Sequence, residues 1–321
     1  MSTLVLASVT HRDLRAAFGD RLKLAEPLAR YTSARVGGPA EFLAVANSAG
    51  ELAELVRAAW ELGIDPLILG GGSNVLVADA GVQGLVILNR ARAVNFHDTP
   101  GAGQTPSVWA ESGVNLGALA RQCAARGLGG LTWAATVPGT IGGAVYGNAG
   151  AHGGDTAGNL ALAEILQQDG TIRRWSRDEL KFSYRSSRLK RERDTRGARH
   201  VLLGAELSLS RGAPAELQAE IESFVAHRKR TQPPGASMGS MFKNPPDDYA
   251  GRLIEAAGLK GKRLGQVEIS GQHANFFVNL GEARAAEVWT LIHLAHATVK
   301  SKFGVDLELE VELVGEWTGQ C

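Results

Sequence analysis

The residues able to do chemistry fall in four loops and one strand. Gly239-Ser-Met-Phe-Lys-Asn-Pro245 sets a hydroxyl, Ser240, beside glycine and three residues ahead of a cation, Lys243. A hydroxyl so placed can donate a proton near a bound anion, although the same residues also make an ordinary turn. Gly70-Gly-Gly-Ser-Asn74 follows an apolar run. Glycines let several backbone amides converge on a pyrophosphate, or make a tight turn between strands. The run has neither the Gly-Lys-Ser/Thr ending of a Walker loop nor a GxGxxG fingerprint, and Gly101-Ala-Gly103 lacks the third glycine. Pro138-Gly-Thr-Ile-Gly-Gly-Ala-Val-Tyr-Gly-Asn-Ala-Gly-Ala-His-Gly153 interleaves Ile141, Val145 and Tyr146 with its glycines. It is too bulky for a flexible linker. It reads as backbone pressed against a flat ring system, or as a glycine-kinked β corner; His152 reads as a solvated loop histidine. Phe182-Ser-Tyr-Arg-Ser-Ser187 sets Arg185 in a polar turn, where a guanidinium clamps a carboxylate or phosphate or simply meets solvent. Along 305–314, Val305, Leu307, Leu309, Val311 and Leu313 alternate with Asp306, Glu308, Glu310 and Glu312. That pattern predicts a strand with one carboxylate face, for a site or for solvent.

Elements that position these loops are legible around them. Ser48-Ala-Gly-Glu51 is a capping box, and Leu52, Leu55, Val56, Ala59 and Trp60 continue it as an amphipathic helix ended by Gly63. Short apolar strands are expected at 66–69, 75–77, 85–88 and 201–203. Helices are expected at about 115–126, 214–230 and 283–303. The second of these carries Leu217, Ile221, Phe224 and Val225 on one face and a basic, proline-stopped end, Arg228-Lys-Arg-Thr-Gln-Pro233. The mixed-charge run Arg188-Leu-Lys-Arg-Glu-Arg-Asp-Thr-Arg196 reads as an exposed loop. There is no internal repeat and no low-complexity segment.

Composition bounds the rest. At 321 residues, 44% hydrophobic and 21% charged, the chain has globular chemistry and room for two or three domains. Glycine supplies 40 residues, about 12% against a usual 7%, with no collagen period. Lys+Arg 34 against Asp+Glu 33 leaves no field to attract nucleic acid or an anionic membrane. Cys123 and Cys321 form no disulfide framework and no metal spacing, which suits a reducing compartment. Met1 to Thr10 lacks a basic n-region, and no apolar run reaches the roughly 18 residues of a membrane span. A soluble, cytoplasmic protein without a metal is expected.

The order of the blocks says more than any one of them. Arg35-Val-Gly-Gly-Pro-Ala40, Leu69-Gly-Gly-Gly-Ser-Asn-Val-Leu76, the 138–153 segment, Ser183-Tyr-Arg185, Gly239-Ser-Met-Phe-Lys-Asn-Pro245 and Leu307-Glu-Leu-Glu-Val311 together resemble the MurB family, the UDP-N-acetylenolpyruvoylglucosamine reductases. The resemblance covers about residues 20–315. It implies an α+β chain with a two-subdomain PCMH-type FAD-binding fold, of the vanillyl-alcohol-oxidase type, plus a separate α+β substrate-binding domain. The implied division is 1–83 completed by 304–321, then 84–211, then 212–303 for the UDP-sugar. FAD would be non-covalent, NADPH the co-substrate, and UDP-N-acetylglucosamine enolpyruvate the substrate of a monomer that binds neither nucleic acid nor membrane. Carried over by motif, Arg35, Gly70, Gly71, Gly72, Ser73, Asn74 and Val75 would bind FAD. So would Thr136, Pro138, Gly139, Gly142, Gly143, Asn148, Ala149 and Gly150. Arg185, Ser240 and Glu310 would be catalytic, and Tyr184, Lys243 and Asn244 would bind substrate. Ser210-Arg-Gly-Ala-Pro214 connects strand to helix directly, as in the class without a substrate-binding tyrosine loop, leaving closure to a segment such as 230–238. Met241 in the Gly-Ser-x-Phe block is expected to tolerate substitution. An oxygen-using oxidase of the same superfamily would share the FAD loops but lack the Gly-Ser-x-Phe-Lys-Asn-Pro and Leu-Glu-x-Glu blocks. A non-catalytic nucleotide-binding module need not keep the arginine, serine and glutamate together.

Overall fold

The computed structural model describes residues 11–98, 105–197 and 199–317; Met1–Thr10, the GxG at 101–103 and Cys321 lie outside them. The chain divides into two compact units, 1–26, 41–70 and 84–221 in the first, 27–40, 71–83 and 222–321 in the second.

In the first unit, the Ser48 hydroxyl accepts the Glu51 amide at 3.1 Å and starts helix Ala49–Glu61. The returning half of the capping box lands one residue early, on the Asn47 amide at 2.8 Å. Leu52, Leu55, Val56 and Ala59 are buried as their spacing predicts, in a core shared with Phe42, Ile87, Leu166, Val201 and Leu203. One sheet runs in the order Lys23–Pro27, Pro39–Ala46, Val82–Asn89, Leu67–Leu69, its last pair parallel. A second, antiparallel sheet runs Ile172–Ser176, Leu160–Leu166, Val201–Ser208, Ser107–Glu111, Val94–His97. Helix Leu116–Ala125 is capped by Asn115 and buries Cys123, whose thiol burial pushes up to about 12, out of reach of oxidation chemistry at neutral pH.

The second unit is built on helix Ala285–Phe303, whose Val288, Leu291, Ile292, Ala295 and Val299 are buried against Met241, Phe242, Leu253, Ile254 and Phe277. A small antiparallel sheet, Arg263–Leu264, Val267–Ile269 and Phe277–Asn279, completes it. Val75–Val77 pairs in parallel with Glu312–Val314. Among the described residues no helix is long and apolar enough to cross a membrane, and no three His, Cys, Asp or Glu are grouped to hold a metal ion.

Four segments depart from expectation. The 138–153 segment, read as backbone against a flat ring system or as a β corner, contains helix Ile141–Gly147, ended by Asn148 in the left-handed region (φ 45°). The 188–196 run is not a loop. The Ser187 hydroxyl caps it, and an Arg188–Glu192 pair at 2.9 Å one turn apart supports helix Arg188–Arg196. The alternation of 305–311 holds in burial, but regular strand is confined to Glu312–Val314, and Leu313 is exposed. The chain changes partner there, from an antiparallel bridge between Leu309 and Phe242 to the parallel pairing with Val75–Val77, so the pleat cannot carry through. Helix Pro214–Thr231 forms as predicted, yet of its apolar stripe only Ile221 is fully buried. Ser210–Arg211 pairs with Leu128–Gly129 just before it, and Gly212 and Ala213 separate that pairing from the helix.

Glu111 fixes the start of helix Ala49–Glu61. Its buried carboxylate accepts the amides of Ala49 and Ala93, each at 2.7 Å, at the positive end of the helix dipole. Charge-assisted bonds of this kind contribute about 1.5–3 kcal/mol each. Glu111→Ala should therefore lower unfolding free energy by about 2–4 kcal/mol in denaturant titration, whereas a change under 0.5 kcal/mol would make the carboxylate incidental.

Candidate active site

In the second unit Ser240 sits on a stretch stitched to neighbours on both sides. On one side Ser240 bridges Phe276, and Met241 donates its amide to the Asn275 carbonyl at 2.8 Å. On the other, Phe242 faces Leu309, the Glu310 amide donates to the Met241 carbonyl at 3.0 Å, and the Lys243 amide to the Glu308 carbonyl at 2.8 Å. Asn275, buried, completes the arrangement: its side chain accepts from the Phe242 amide at 2.9 Å and donates to the Phe242 carbonyl at 2.8 Å. Lys243, 14% exposed at its side chain, donates from Nζ to Glu308 Oε1, so its ammonium has a fixed direction. Asn244 uses its side-chain oxygen on the Ala250 amide at 3.1 Å, at the start of helix Ala250–Ala256. Met241, expected to be tolerant, is fully buried in the core; only apolar side chains of similar volume fit there. Within 230–238, Ala236 pairs with Asn279 and Met238 is buried.

The glycine loop of this unit comes to the same place. Asn74 donates from Nδ2 to the Glu310 carbonyl at 2.9 Å, and its own carbonyl accepts the Glu312 amide at 3.0 Å. Val75 opens the strand that follows; Gly71 is exposed and Ser73 half-buried. At Gly72 (φ 59°) a Cβ would lie 2.0 Å from the Tyr31 carbonyl oxygen, so no other residue fits. Arg35 is exposed, in the left-handed region (φ 55°), which costs a non-glycine residue about 1–3 kcal/mol. Asn279 Nδ2 donates to the neighbouring Ala34 carbonyl at 2.9 Å, and the Thr32 hydroxyl bonds both amide and carbonyl of Val36.

In the first unit, a Cβ at Gly70 would meet Thr140 Oγ1 at 2.5 Å, and one at Gly142 the Ser112 carbonyl oxygen at 3.0 Å; both are packing glycines. Gly143 and Gly147 differ. They lie four apart on one face of helix Ile141–Gly147, where an added Cβ meets nothing within 4 Å. Packing within the chain does not require glycine at either. Thr136 ends the turn Thr132–Thr136, Pro138 is exposed, and the Gly139 carbonyl accepts the Leu116 amide at 3.1 Å. Ala149 and Gly150 lead into the short pairing of Gly150 with Asp155. Asn148 is buried with its amide committed to protein: Oδ1 accepts the Ala157 amide at 3.0 Å, and Nδ2 donates to the Ser183 carbonyl at 3.1 Å. It can offer a cofactor only its backbone. Ser183 opens the turn that carries Tyr184, exposed, and Arg185, half-buried with φ 52°. The Arg185 guanidinium lies 5.5 Å from the centre of the Tyr184 ring.

Residues 40–176 match an FAD-binding domain family, and residues 231–314 match the UDP-N-acetylenolpyruvoylglucosamine reductase C-terminal domain. A UDP-N-acetylenolpyruvoylglucosamine reductase of Chloroflexus aggregans is 47% identical, over 90% of this chain and 96% of its own. This chain belongs to the MurB family. A second reductase of that name, from Rubrobacter xylanophilus, is 45% identical over 92% of this chain and 95% of its own. The crystal structure of MurB from Thermus caldophilus superimposes with a TM-score of 0.74 at 35% identity, over 91% of this chain and 98% of that one. The α+β fold with its FAD-binding part is therefore that of MurB. The residues present fit the cofactor: the bare face at Gly143 and Gly147 leaves room beside the helix for a group that is not part of the chain.

Sequence reasoning missed the parts played by Asn275, Asn279 and Glu308, whose side chains bond the stretches that carry the candidate residues. For the asparagines there was a signal, two amides four apart in the otherwise apolar Ala274-Asn-Phe-Phe-Val-Asn279.

Two outcomes follow. Gly143→Ala adds helix propensity worth about 0.5–1 kcal/mol, so the cofactor-free protein should melt higher while its affinity for FAD, by fluorescence titration, falls; unchanged FAD affinity would remove this helix from the cofactor site. The second concerns His273, whose Nδ1 accepts the Asn275 amide at 3.2 Å. Burial lowers its pKa below the ordinary 6.5, with Lys260 acting the same way and Glu255 opposing. Above about pH 6.5 neither folded nor unfolded chain protonates this ring; below it the unfolded chain takes the proton first, so stability falls as pH falls, by up to about 1.4 kcal/mol per unit. Melting curves from pH 8 to 5 should show this loss, with a shallower slope in His273→Gln.

Proposed function

We propose that this chain reduces UDP-N-acetylglucosamine enolpyruvate to UDP-N-acetylmuramate, the UDP-N-acetylmuramate dehydrogenase step of peptidoglycan precursor synthesis. When bound, the dissociable FAD would supply hydride-transfer chemistry, with NADPH as the hydride source and the terminal carbon of the enolpyruvyl group as the acceptor. The chain's own residues deal with the charge and the proton. As the hydride arrives, negative charge develops on the substrate and spreads into its carboxylate. Arg185 pairs with that carboxylate through a planar fork, and a donor aimed at developing charge contributes about 10²–10³ in rate. Ser240 then gives its proton to the adjacent carbon. A serine hydroxyl is a weak acid, so this step depends on the basicity of the enolate and on the cation of Lys243, three residues away and oriented by Glu308. Glu310 steadies the enol from another direction. Tyr184 and Asn244 line the substrate site, and 70–75 with Arg35 and 136–150 hold the cofactor.

One observation carries this reading. The serine, the lysine and the glutamate stand on two stretches that bond each other directly, through Glu310 to Met241 and Lys243 to Glu308. The division into 1–83 with 304–321, 84–211 and 212–303, the monomeric state and a cytoplasmic location belong to the same proposal.

The test is an anaerobic absorbance series on the flavin-loaded protein. Its visible bands should bleach with NADPH and return on adding the enolpyruvyl sugar; return only on admitting air would favour an oxygen-using oxidase. In Ser240→Ala the bleaching should persist while the return slows by about 10²-fold or more. If both halves slow together, the serine has been misassigned.

A further inference from the structure

We infer that Arg191 is a positioning residue for Arg185, holding the turn that presents it. Nothing in the reaction chemistry calls for Arg191, and the charge run that contains it read as solvated surface. In the structure its guanidinium donates from one nitrogen to the hydroxyl oxygens of both Ser183 and Ser186, each at 3.2 Å, and from another to the Lys181 carbonyl. These acceptors enclose the two residues Tyr184 and Arg185. Ser183 and Ser186 also exchange backbone bonds at 3.0 and 3.1 Å, so the loop between them is two residues long, and Arg185, its second residue, takes a positive φ of 52°.

A left-handed arginine persists only where its surroundings over-determine it. Three groups do so here. Asn148 donates to the Ser183 carbonyl at 3.1 Å, the Ser187 hydroxyl donates to the Tyr146 carbonyl at 2.7 Å, and Arg191 bridges the hydroxyls of Ser183 and Ser186. The first two tie the turn to helix Ile141–Gly147 and its left-handed cap; Arg191 bonds both flanking serines. Its own place is fixed by the helix the turn runs into, where the Arg191 amide donates to the Ser187 carbonyl at 3.1 Å. A planar guanidinium can reach three acceptors at once, and an ammonium on a flexible stem cannot hold the same geometry. Without the clamp the turn relaxes and the Arg185 guanidinium loses its direction; a displacement of about 1 Å at a reacting group costs about 10²-fold.

The inference rests on the proposed role of Arg185 as the carboxylate-binding group, and a double-mutant cycle separates the two. Flavin-loaded wild type, Arg185→Ala, Arg191→Ala and the double variant are reduced under argon and mixed with UDP-N-acetylglucosamine enolpyruvate, and the rate of flavin reoxidation is followed. Arg191→Ala should slow reoxidation by about 10–100-fold in the presence of Arg185. In the Arg185→Ala background the same change should alter the rate by no more than about twofold. An equal loss in both backgrounds overturns the inference, because Arg191 would then act on the scaffold at large. Little loss from Arg191→Ala beside a large loss from Arg185→Ala overturns it while leaving the carboxylate reading intact. No loss from Arg185→Ala overturns that reading itself. Should Arg191→Ala fail to fold, Arg191→Lys, which keeps the charge but not the fork, enters the same cycle with the same expectations.

Discussion

Asn275 accepts from the Phe242 amide and donates to the Phe242 carbonyl, so one buried carboxamide clamps the residue two positions from Ser240 from both of its backbone polar groups. The same device recurs wherever the candidate chemistry sits on irregular chain. Asn279 holds the Ala34 carbonyl beside the left-handed Arg35, Asn74 holds the Glu310 carbonyl, and Asn148 holds the Ser183 carbonyl below Arg185. A carboxamide carries its donor and its acceptor on separate atoms, and so can bond the N–H and the C=O of one residue as a neighbouring strand would. Buried backbone groups must find partners, and loops shaped for a ligand cannot find them in a ladder.

The glycines solve the complementary problem. Gly72, with the Tyr31 carbonyl 2.0 Å from where its Cβ would be, and Gly70, against Thr140, let chain segments approach more closely than side chains permit. At Gly143 and Gly147 an added Cβ would meet nothing within 4 Å among the described residues. The glycines thus stand in two settings here, where the protein approaches itself too closely for a Cβ and where the chain faces open space, and only the space around each residue tells them apart.

Much of the scaffold was legible because periodicity encodes it. Leu52, Leu55, Val56 and Ala59 recur at helical spacing and are buried together. The helices at 116–125, 214–231 and 285–303 lie within a few residues of where apolar spacing and proline or glycine stops put them. Two helices went unread for different reasons. In 138–153 the glycines drew the reading to a flat ring system or a β corner, whereas Ile141, Ala144 and Val145, buried on one side, hold a helix in place. In 188–196 net polarity argued for a loop, whereas the Ser187 cap and the pairing of Arg188 with Glu192 supplied local stability that a hydrophobic pattern does not register. Along 305–314 the alternation was real, but its partner changed midway.

The sequence by itself determined the residue types that could do chemistry and their order, since a hydroxyl beside a lysine, an arginine in a serine-flanked turn and a glutamate in an alternating run are statements about side chains and spacing. It determined the helices for the same reason, through apolar residues that recur at a period the chain itself carries. Tertiary structure alone decided what holds those residues: that Arg191 grips the turn of Arg185, that Asn275 and Glu308 orient the stretch from Ser240 to Lys243, and that Asn74 and Glu310 meet across 236 positions of sequence. Which group each of these side chains bonds leaves no period in the sequence, because it is set by which distant backbone or charged group comes alongside, and that is known only once the chain has folded.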